Sequence, residues 1–289
     1  MKTALLTGST GFVGHNVIDI LCQDYQLLTP RRAELDLRSL DSVQHYFDTH
    51  QIDVVFHCAN PNPVKNAAED SADRMTDDSL RIFLNLYACR EKYGKMIYLG
   101  SGAEYNKQLE ICNIREEDCF RSPPGDSYGL TKYTMNLLAS QSQNIYNLCL
   151  FACYGPGDHP SKFITHCIRC CLSGQPVTIR QDCKFDYIHV WDLGRMMSWM
   201  GTHPLQHHMY NVSGCEHAML SDIAHEVCKQ MQVQSPVEIL SPGLNREYTA
   251  NGQRFWTESQ LPLPMSLRAG IALQIQWEKE QMKHETACG

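Results

Sequence analysis

A chain of 289 residues, 43% of them hydrophobic, is long enough for one larger α/β domain or a main domain with a smaller appendage, and it can bury a sizeable core. A formal charge of −7 and a pI near 6.0 offer no basic footprint for nucleic acid or an anionic membrane, so the expected partner is a small molecule. The apolar run at the start is too short for a signal sequence and no later run has bilayer-spanning length; with the fourteen cysteines read as reduced thiols, the expected location is cytoplasmic.

In chain order, apolar runs of strand length alternate with segments of helical period, the sequence form of a parallel sheet covered on both faces. Strands are predicted at Lys2 to Thr7, Tyr25 to Thr29, Asp53 to His57, Lys95 to Gly100 and Ile145 to Phe151. Helices fall between them at Gly11 to Gln23, Leu40 to Thr49, Asp70 to Tyr93 and Tyr128 to Gln143. After Tyr154-Gly155-Pro156-Gly157 the pattern loosens into a helix from Lys162 to Ser173, a strand through Phe185 to Val190, helices near 192–200 and 219–231, and a tail rich in Pro and Gly. The prediction is an α/β fold: a doubly wound parallel sheet over 1–155, to which the strand near 185–191 returns, and a smaller substrate-binding lobe mainly over 156–289. Cys167, Cys170 and Cys171 beside His166 have the softness for a metal but sit in a helical segment without a second paired-cysteine motif, so they are read as packing and no metal is expected. His203, His207 and His208 are read as solvated surface residues.

The first strand runs directly into Gly8-Ser9-Thr10-Gly11-Phe12-Val13-Gly14 and then the apolar helix of Val17, Ile18 and Leu21. Glycines in a strand–turn–helix context permit a tight turn, close approach of the backbone to a pyrophosphate and close helix packing, while the helix N-terminus presents unpaired N–H groups to the anion. Gly8, Thr10, Gly11, Phe12, Val13 and Gly14 are therefore cofactor-site candidates in a Rossmann-type fold. The second strand ends in Arg31 and Arg32, which favour a ribose 2′-phosphate and so NADP; Glu34 and Asp36 follow closely and keep NAD open.

Tyr128 and Lys132 lie four residues apart, hence on one face of a helix that follows the fourth strand. A phenol ordinarily ionises near pH 10, and lowering that by about three pH units, roughly 4 kcal/mol, makes it a useful proton donor beside a hydride donor. Lys132 and an oxidised nicotinamide can supply the positive field. The fourth strand delivers Ser101 to the same carboxyl-end crevice, where its hydroxyl can bond a substrate carbonyl and orient Tyr128.

Taken together, Gly8/Gly11/Gly14, His57-Cys58-Ala59, Ser101, Tyr128/Lys132, Tyr154-Gly155-Pro156-Gly157-Asp158 and Ile188-His189-Val190 resemble, in order, the extended short-chain dehydrogenase/reductases of the NAD-dependent epimerase/dehydratase family. The resemblance covers about residues 1–231 and is nearest in pattern to the GDP-fucose synthase-like nucleotide-sugar reductases. It implies a bound NAD or NADP contacted also by Cys58, Ala59, Tyr128 and Lys132, with Asp36 and Leu37 flanking the adenine. It also implies a nucleotide-linked sugar substrate held near Ser101, Gly102, Ala103, Lys162 and Lys184, and a homodimer formed through helices like 70–93 and 128–143.

The resemblance narrows the reaction through what is missing. The family's 4,6-dehydratases carry acids where this chain has Gly102 and Ala103, and Glu104 is one residue late for that role. The reductases that also epimerise at C3 and C5 carry a Cys and a His where Ala103 and Lys162 stand. Two phosphate-handling positions are replaced by Ala152 and Phe185, with Lys184, Lys162 and Arg180 nearby in sequence. What is left is reduction of a 4-keto sugar through Ser101, Tyr128 and Lys132, with a 4-epimerase as the neighbouring alternative and a non-catalytic dinucleotide-binding regulator as the alternative of a different class.

Overall fold

A computed structural model describes residues 1–61, 72–214 and 216–288. It opens with β1 (Lys2–Thr7), where Ala4, Leu5 and Leu6 are consecutive and fully buried, the signature of a strand covered on both faces. Helix α1 (Phe12–Leu21) presents Val17 and Leu21 to the core and leads into β2 (Tyr25–Leu28). Helix α2 (Leu40–Thr49) starts at Ser39, whose hydroxyl accepts from the Ser42 N–H at 3.3 Å, and returns the chain to β3 (Ile52–His57). Helix α3 (Ala72–Ala88) and β4 (Tyr93–Leu99) follow; the predicted helix start at Asp70 lies outside the described residues, and the predicted end at Tyr93 belongs to β4. After β5 (Ile111–Ile114) comes α4 (Ser127–Ser140), whose N-cap Asp126 accepts from the Gly129 N–H at 2.8 Å, and then β6 (Ile145–Leu150).

The remaining elements are β7 (Cys153–Tyr154), α5 (Phe163–Leu172), β8 (Val177–Ile179), β9 (Lys184–Asp186), β10 (Ile188–His189), α6 (Val190–Thr202) and β11 (Met209–Val212). They are followed by β12 (His217–Met219), α7 (Leu220–Met231), β13 (Val237–Ile239), β14 (Tyr248–Ala250), α8 (Gln253–Ser259) and α9 (Leu267–Cys288). The main sheet has the order β11-β6-β4-β3-β1-β2 with every pairing parallel. Because β2 and β3 lie on opposite sides of β1, the strand order reverses there and opens a crevice at the carboxyl ends of β1 and β3, where ligands bind in such sheets. One face of the sheet packs against α1 and α6 through Val17, Leu21, Leu193, Met196 and Met197; the other packs against α2, α3 and α4 through Val43, Phe83, Leu86, Met135 and Ala139.

The structure departs from the sequence reading in two further places. The run Phe185 to Val190 is not one strand returning to the main sheet: β9 joins the order β12-β9-β14-β5, β10 pairs with β7, and Val190 opens α6 because the His189 imidazole accepts from the Trp191 N–H at 3.3 Å. The sixth strand of the main sheet is β11 instead. The tail, read as Pro- and Gly-rich, carries α9, whose buried stripe Ile271, Gln274, Ile275 and Glu278 alternates apolar with polar residues and so hides its helical period. Gln274 donates to Thr165 Oγ1 at 2.7 Å and Glu278 accepts from Arg169 Nε at 2.9 Å, so both polar groups dock α9 on α5. Cys167 and Cys171 face the apolar core that α5, α7 and α9 enclose.

Candidate active site

The turn from β1 to α1 closes through a Gly11 N–H to Gly8 carbonyl bond of 3.0 Å. Gly8 has φ of +71°, and a Cβ there would stand 2.6 Å from the Ala59 nitrogen; a Cβ on Gly14 would stand 2.1 Å from the Gly8 carbonyl oxygen. Gly11 caps α1 without a side-chain bond and no acidic residue occupies the first turn, so the N–H groups of Phe12 and Val13 open that helix toward the crevice, suited to an anion.

A cleft of about 830 Å³ extends from this turn along the end of β2. Gly8, Thr10, Arg31, Arg32, Asp36, Leu37 and Ala59 line it, which unites half of the residues expected to hold a dinucleotide. Cys58 sits beside it with a thiol that burial pushes up to about 12, so it packs as a neutral group. Sequence reasoning missed Arg38 and Asp78, which line the same cleft and pair at 3.8 Å. The acids near the arginines are engaged: Glu34 accepts from the Arg31 N–H at 2.7 Å, and Asp36 accepts from the Arg38 N–H at 3.1 Å.

Thr7 links the cradle to β3. Its hydroxyl accepts from the Ala59 N–H at 3.3 Å and is hydrogen-bonded to His57 Nδ1 at 2.8 Å. Burial, aided by the Lys132 charge, pushes His57 down to about 3. The unfolded chain therefore binds a proton between about pH 6.5 and 3 that the native state refuses, and stability falls as pH drops through that window. The expected loss attributable to His57 is about 3 kcal/mol at about pH 4. Urea unfolding should accordingly have a shallower acid slope in His57→Gln than in the parent; parallel slopes would mean that His57 titrates as freely folded as unfolded.

Ser101 lies two residues beyond β4 and caps a 3-10 turn over Gly102–Glu104, its Oγ accepting from the Ala103 N–H at 3.1 Å. Tyr128 starts α4 and is hydrogen-bonded to Ser101. Lys132, 5% exposed, donates to the Leu99 carbonyl at 2.9 Å, which places its ammonium at the carboxyl end of β4 beneath the tyrosine. The three residues singled out from sequence are thus brought together. Burial raises the Tyr128 phenol above its ordinary value while the bond to Ser101 opposes that rise. The protein alone does not lower this phenol, and the lowering that acid–base work needs falls to a further positive charge.

Ser101, Ala103 and Tyr128 line a second pocket of about 450 Å³. Its far wall is aromatic: Tyr248 stands 4.8 Å from Phe151 and 5.1 Å from Phe185 between ring centroids. Gly102 lies under this wall, where a Cβ would approach the Tyr248 hydroxyl to 2.4 Å, so the glycine makes room for Tyr248. Arg246 lines the rim and donates from Nη1 to the carbonyls of Lys107 and Gln108 at 3.0 and 2.8 Å. Lys184 and Lys162 are not among the lining residues. In β9 Phe185 takes the pocket-facing position and its neighbour Lys184 lies near Glu247, whereas Lys162 precedes α5 near Asp158. Arg180 is exposed and likewise outside the pocket. Tyr248 and Arg246 were invisible to sequence reasoning because β14 reaches the site by pairing with β5 and β9, distant in the chain.

Comparison with known proteins agrees with this fold. A trifunctional UDP-glucose 4,6-dehydratase/UDP-4-keto-6-deoxy-D-glucose 3,5-epimerase/UDP-4-keto-L-rhamnose-reductase of Arabidopsis thaliana is 21% identical over 292 residues, covering 90% of this chain. The chain spans only 44% of that relative's length. Among solved structures, a UDP-glucose 4-epimerase from Thermotoga maritima with UDP-glucose superposes with a TM-score of 0.82 at 18% identity, over 97% of this chain and 99% of the other. A GDP-L-fucose synthetase from Naegleria fowleri bound to NADP superposes with a TM-score of 0.83 at 17% identity, over 98% and 95%. These structural likenesses establish the fold. Residues 4–213, most of the chain, match the model of the NAD dependent epimerase/dehydratase family, and the protein belongs to that family.

Proposed function

We propose that this protein is an NAD(P)-dependent oxidoreductase that reduces the 4-keto group of a nucleotide-linked sugar. The observation that carries the reading is the placement of Ser101, hydrogen-bonded to Tyr128, on the wall of a pocket at the carboxyl edge of the sheet whose β1–α1 turn forms an anion cradle. The cradle fits a dinucleotide because Gly8 and Gly14 leave open the backbone surface that a Cβ would fill, and because the adjoining cleft is lined by arginines. When bound, the nicotinamide supplies the hydride and, once oxidised, the positive charge that the Tyr128 phenol lacks. Ser101 bonds the sugar carbonyl, Tyr128 holds the proton that passes to its oxygen, and Lys132 keeps that phenol poised. In this reading residues 1–155 hold the dinucleotide and 156–289 mainly the substrate, with Ala103, Phe185 and Tyr248 facing the sugar.

Elimination and 3,5-epimerisation are disfavoured by the groups that face the pocket. Glu104 is fully buried and turned toward Asn136 and Asn147, not toward Tyr128's pocket, and Ala103 offers no acid or base. Exposed Leu84 on α3 with Leu130 and Leu137 on α4, two helices that pack together, supports a homodimer formed through this pair.

Arg31, Arg32 and Arg38 surround the end of β2 while Glu34 and Asp36 are already engaged, which supports NADP. Replacing Arg31 and Arg32 together by Ala is expected to weaken NADP about 10²-fold and NAD less than about 3-fold, because the lost charge-assisted bonds reach a phosphate that NADP alone carries. Calorimetric titration with both cofactors checks this, and equal losses contradict it. The reading as a whole is tested by mass spectrometry of the small molecules released from the purified protein. A nicotinamide dinucleotide, with or without a nucleoside diphosphate, is expected; absence of both, together with no calorimetric affinity for either cofactor, would overturn it.

A further inference from the structure

Glu104 has no part in the chemistry described above, yet it is completely buried directly behind the reaction centre. Its Oε1 accepts from the Ser101 N–H at 2.9 Å. Its Oε2 accepts from Asn136 Nδ2 and from Asn147 Nδ2, both at 2.8 Å. Asn136 lies one turn beyond Lys132 and two beyond Tyr128 on α4, and Asn147 lies in β6. One carboxylate therefore joins the backbone of the serine, the helix that carries the tyrosine and lysine, and a central strand. All three partners donate N–H groups, so the acceptor-only, ionised carboxylate fits the site.

A buried negative charge needs a counter-charge. The groups that sense Glu104 are Tyr98 on β4, Lys132 and Tyr128 on α4, Cys149 on β6, Cys119 in the 3-10 segment Glu116–Arg121, and Tyr248 on β14. Burial pushes every one of these thiols and phenols up, leaving them neutral, and Lys132 is the cation of the set. We propose that Glu104 is a positioning residue that fixes Ser101 against α4 through this network and whose buried charge, without direct contact, sustains the ammonium form of Lys132. This deepens the proposed reductase reading and rests on it for its catalytic consequence. Burial is the largest influence on both groups: Glu104 is raised to about 7 and Lys132 lowered to about 8, with each charge already opposing the shift of the other.

Glu104→Gln separates charge from geometry. Among the described residues the Oδ1 atoms of Asn136 and Asn147 have no hydrogen-bond partner, so both amides can turn over and accept from the new amide. The direct test needs no substrate: the protein is labelled with 13Cδ glutamate, and the Glu104 resonance is identified by its loss in Glu104→Gln or Glu104→Asp. A midpoint near 7 is expected in the parent chain, moving up by about one pH unit or more in Lys132→Met. A resonance still protonated at about pH 8, or a midpoint unmoved by Lys132→Met, would overturn the pairing. In the enzymatic arm, Glu104→Gln is expected to move the alkaline limb of the kcat/KM profile to lower pH by about one unit, as Lys132 loses its partner and gives up its proton earlier. A lower rate with an unmoved limb would reduce Glu104 to scaffolding. The titration reads the charge pair even if the reaction has been misassigned, so the two ideas fail separately.

Discussion

Tyr128→Phe is expected to lower turnover by about 10² or more while leaving cofactor affinity nearly unchanged, because only the oxygen that transfers the proton in the proposed reaction is removed. The phenol is partly exposed at the wall of the Ser101 pocket, bonded to Ser101, and the ring's packing survives the substitution. The magnitude corresponds to about 3 kcal/mol of transition-state stabilisation, the usual worth of one positioned acid. Single-turnover reduction by prebound NADPH separates this effect from binding. Near-normal turnover in the variant would remove the phenol from the mechanism, whereas a loss confined to thermal stability would make it a structural residue.

The second large effect is expected at the cradle. Gly14→Ala sets a methyl 2.1 Å from the Gly8 carbonyl oxygen, and since the atoms it meets belong to backbone the turn itself must move. Overpacking of this kind costs about 2–3 kcal/mol, which lowers Tm by roughly 3–5 °C in a chain of this size. Displacing the turn also misaligns the α1 N–H groups, so dinucleotide affinity is expected to fall about 10²-fold. Gly125→Ala is the control, because its Cβ would meet nothing nearer than the Gln108 amide at 3.6 Å, and its Tm should stay within about a degree of the parent. A Gly14→Ala variant that matches this control in Tm and cofactor affinity would mean that the turn is not the tight cradle described.

The first half of the fold was legible because its signals are local. A strand such as Ala4-Leu5-Leu6, buried on both faces, must be continuously apolar, and a turn that admits no Cβ must be glycine, so β1, Gly8 and Gly14 carry their structure in their residue types. Ser101, Tyr128 and Lys132 were legible through their places at the end of β4 and the start of α4. The second lobe was harder because its elements are short and held by distant partners. The four-residue β11 completes the main sheet after an excursion of about sixty residues from β6, and the three-residue β14 reaches the pocket by pairing with β5 and β9. No local periodicity announces such pairings. Glu104 shows the same limit at the level of one side chain. Extended-strand alternation turns it away from the site, but the 3-10 turn it occupies folds its carboxylate back onto the Ser101 N–H.

Where the resemblance implies a phosphate-holding cation this chain has Phe185, in contact with Tyr248, so the charged portion of the proposed nucleotide-sugar substrate would have to be held elsewhere. Arg246 and Lys107 are the cations at the pocket rim, and the aromatic wall offers a flat face for a sugar ring or base. The most direct test of the central claim is to supply the purified protein with NADPH and a panel of nucleotide-linked 4-keto sugars, following reduced nicotinamide and product stereochemistry together. Stoichiometric oxidation of NADPH with a single 4-hydroxy product from at least one sugar is the predicted result. Epimer formation with tightly retained NAD and no net oxidation, or inactivity toward every nucleotide sugar, would contradict it.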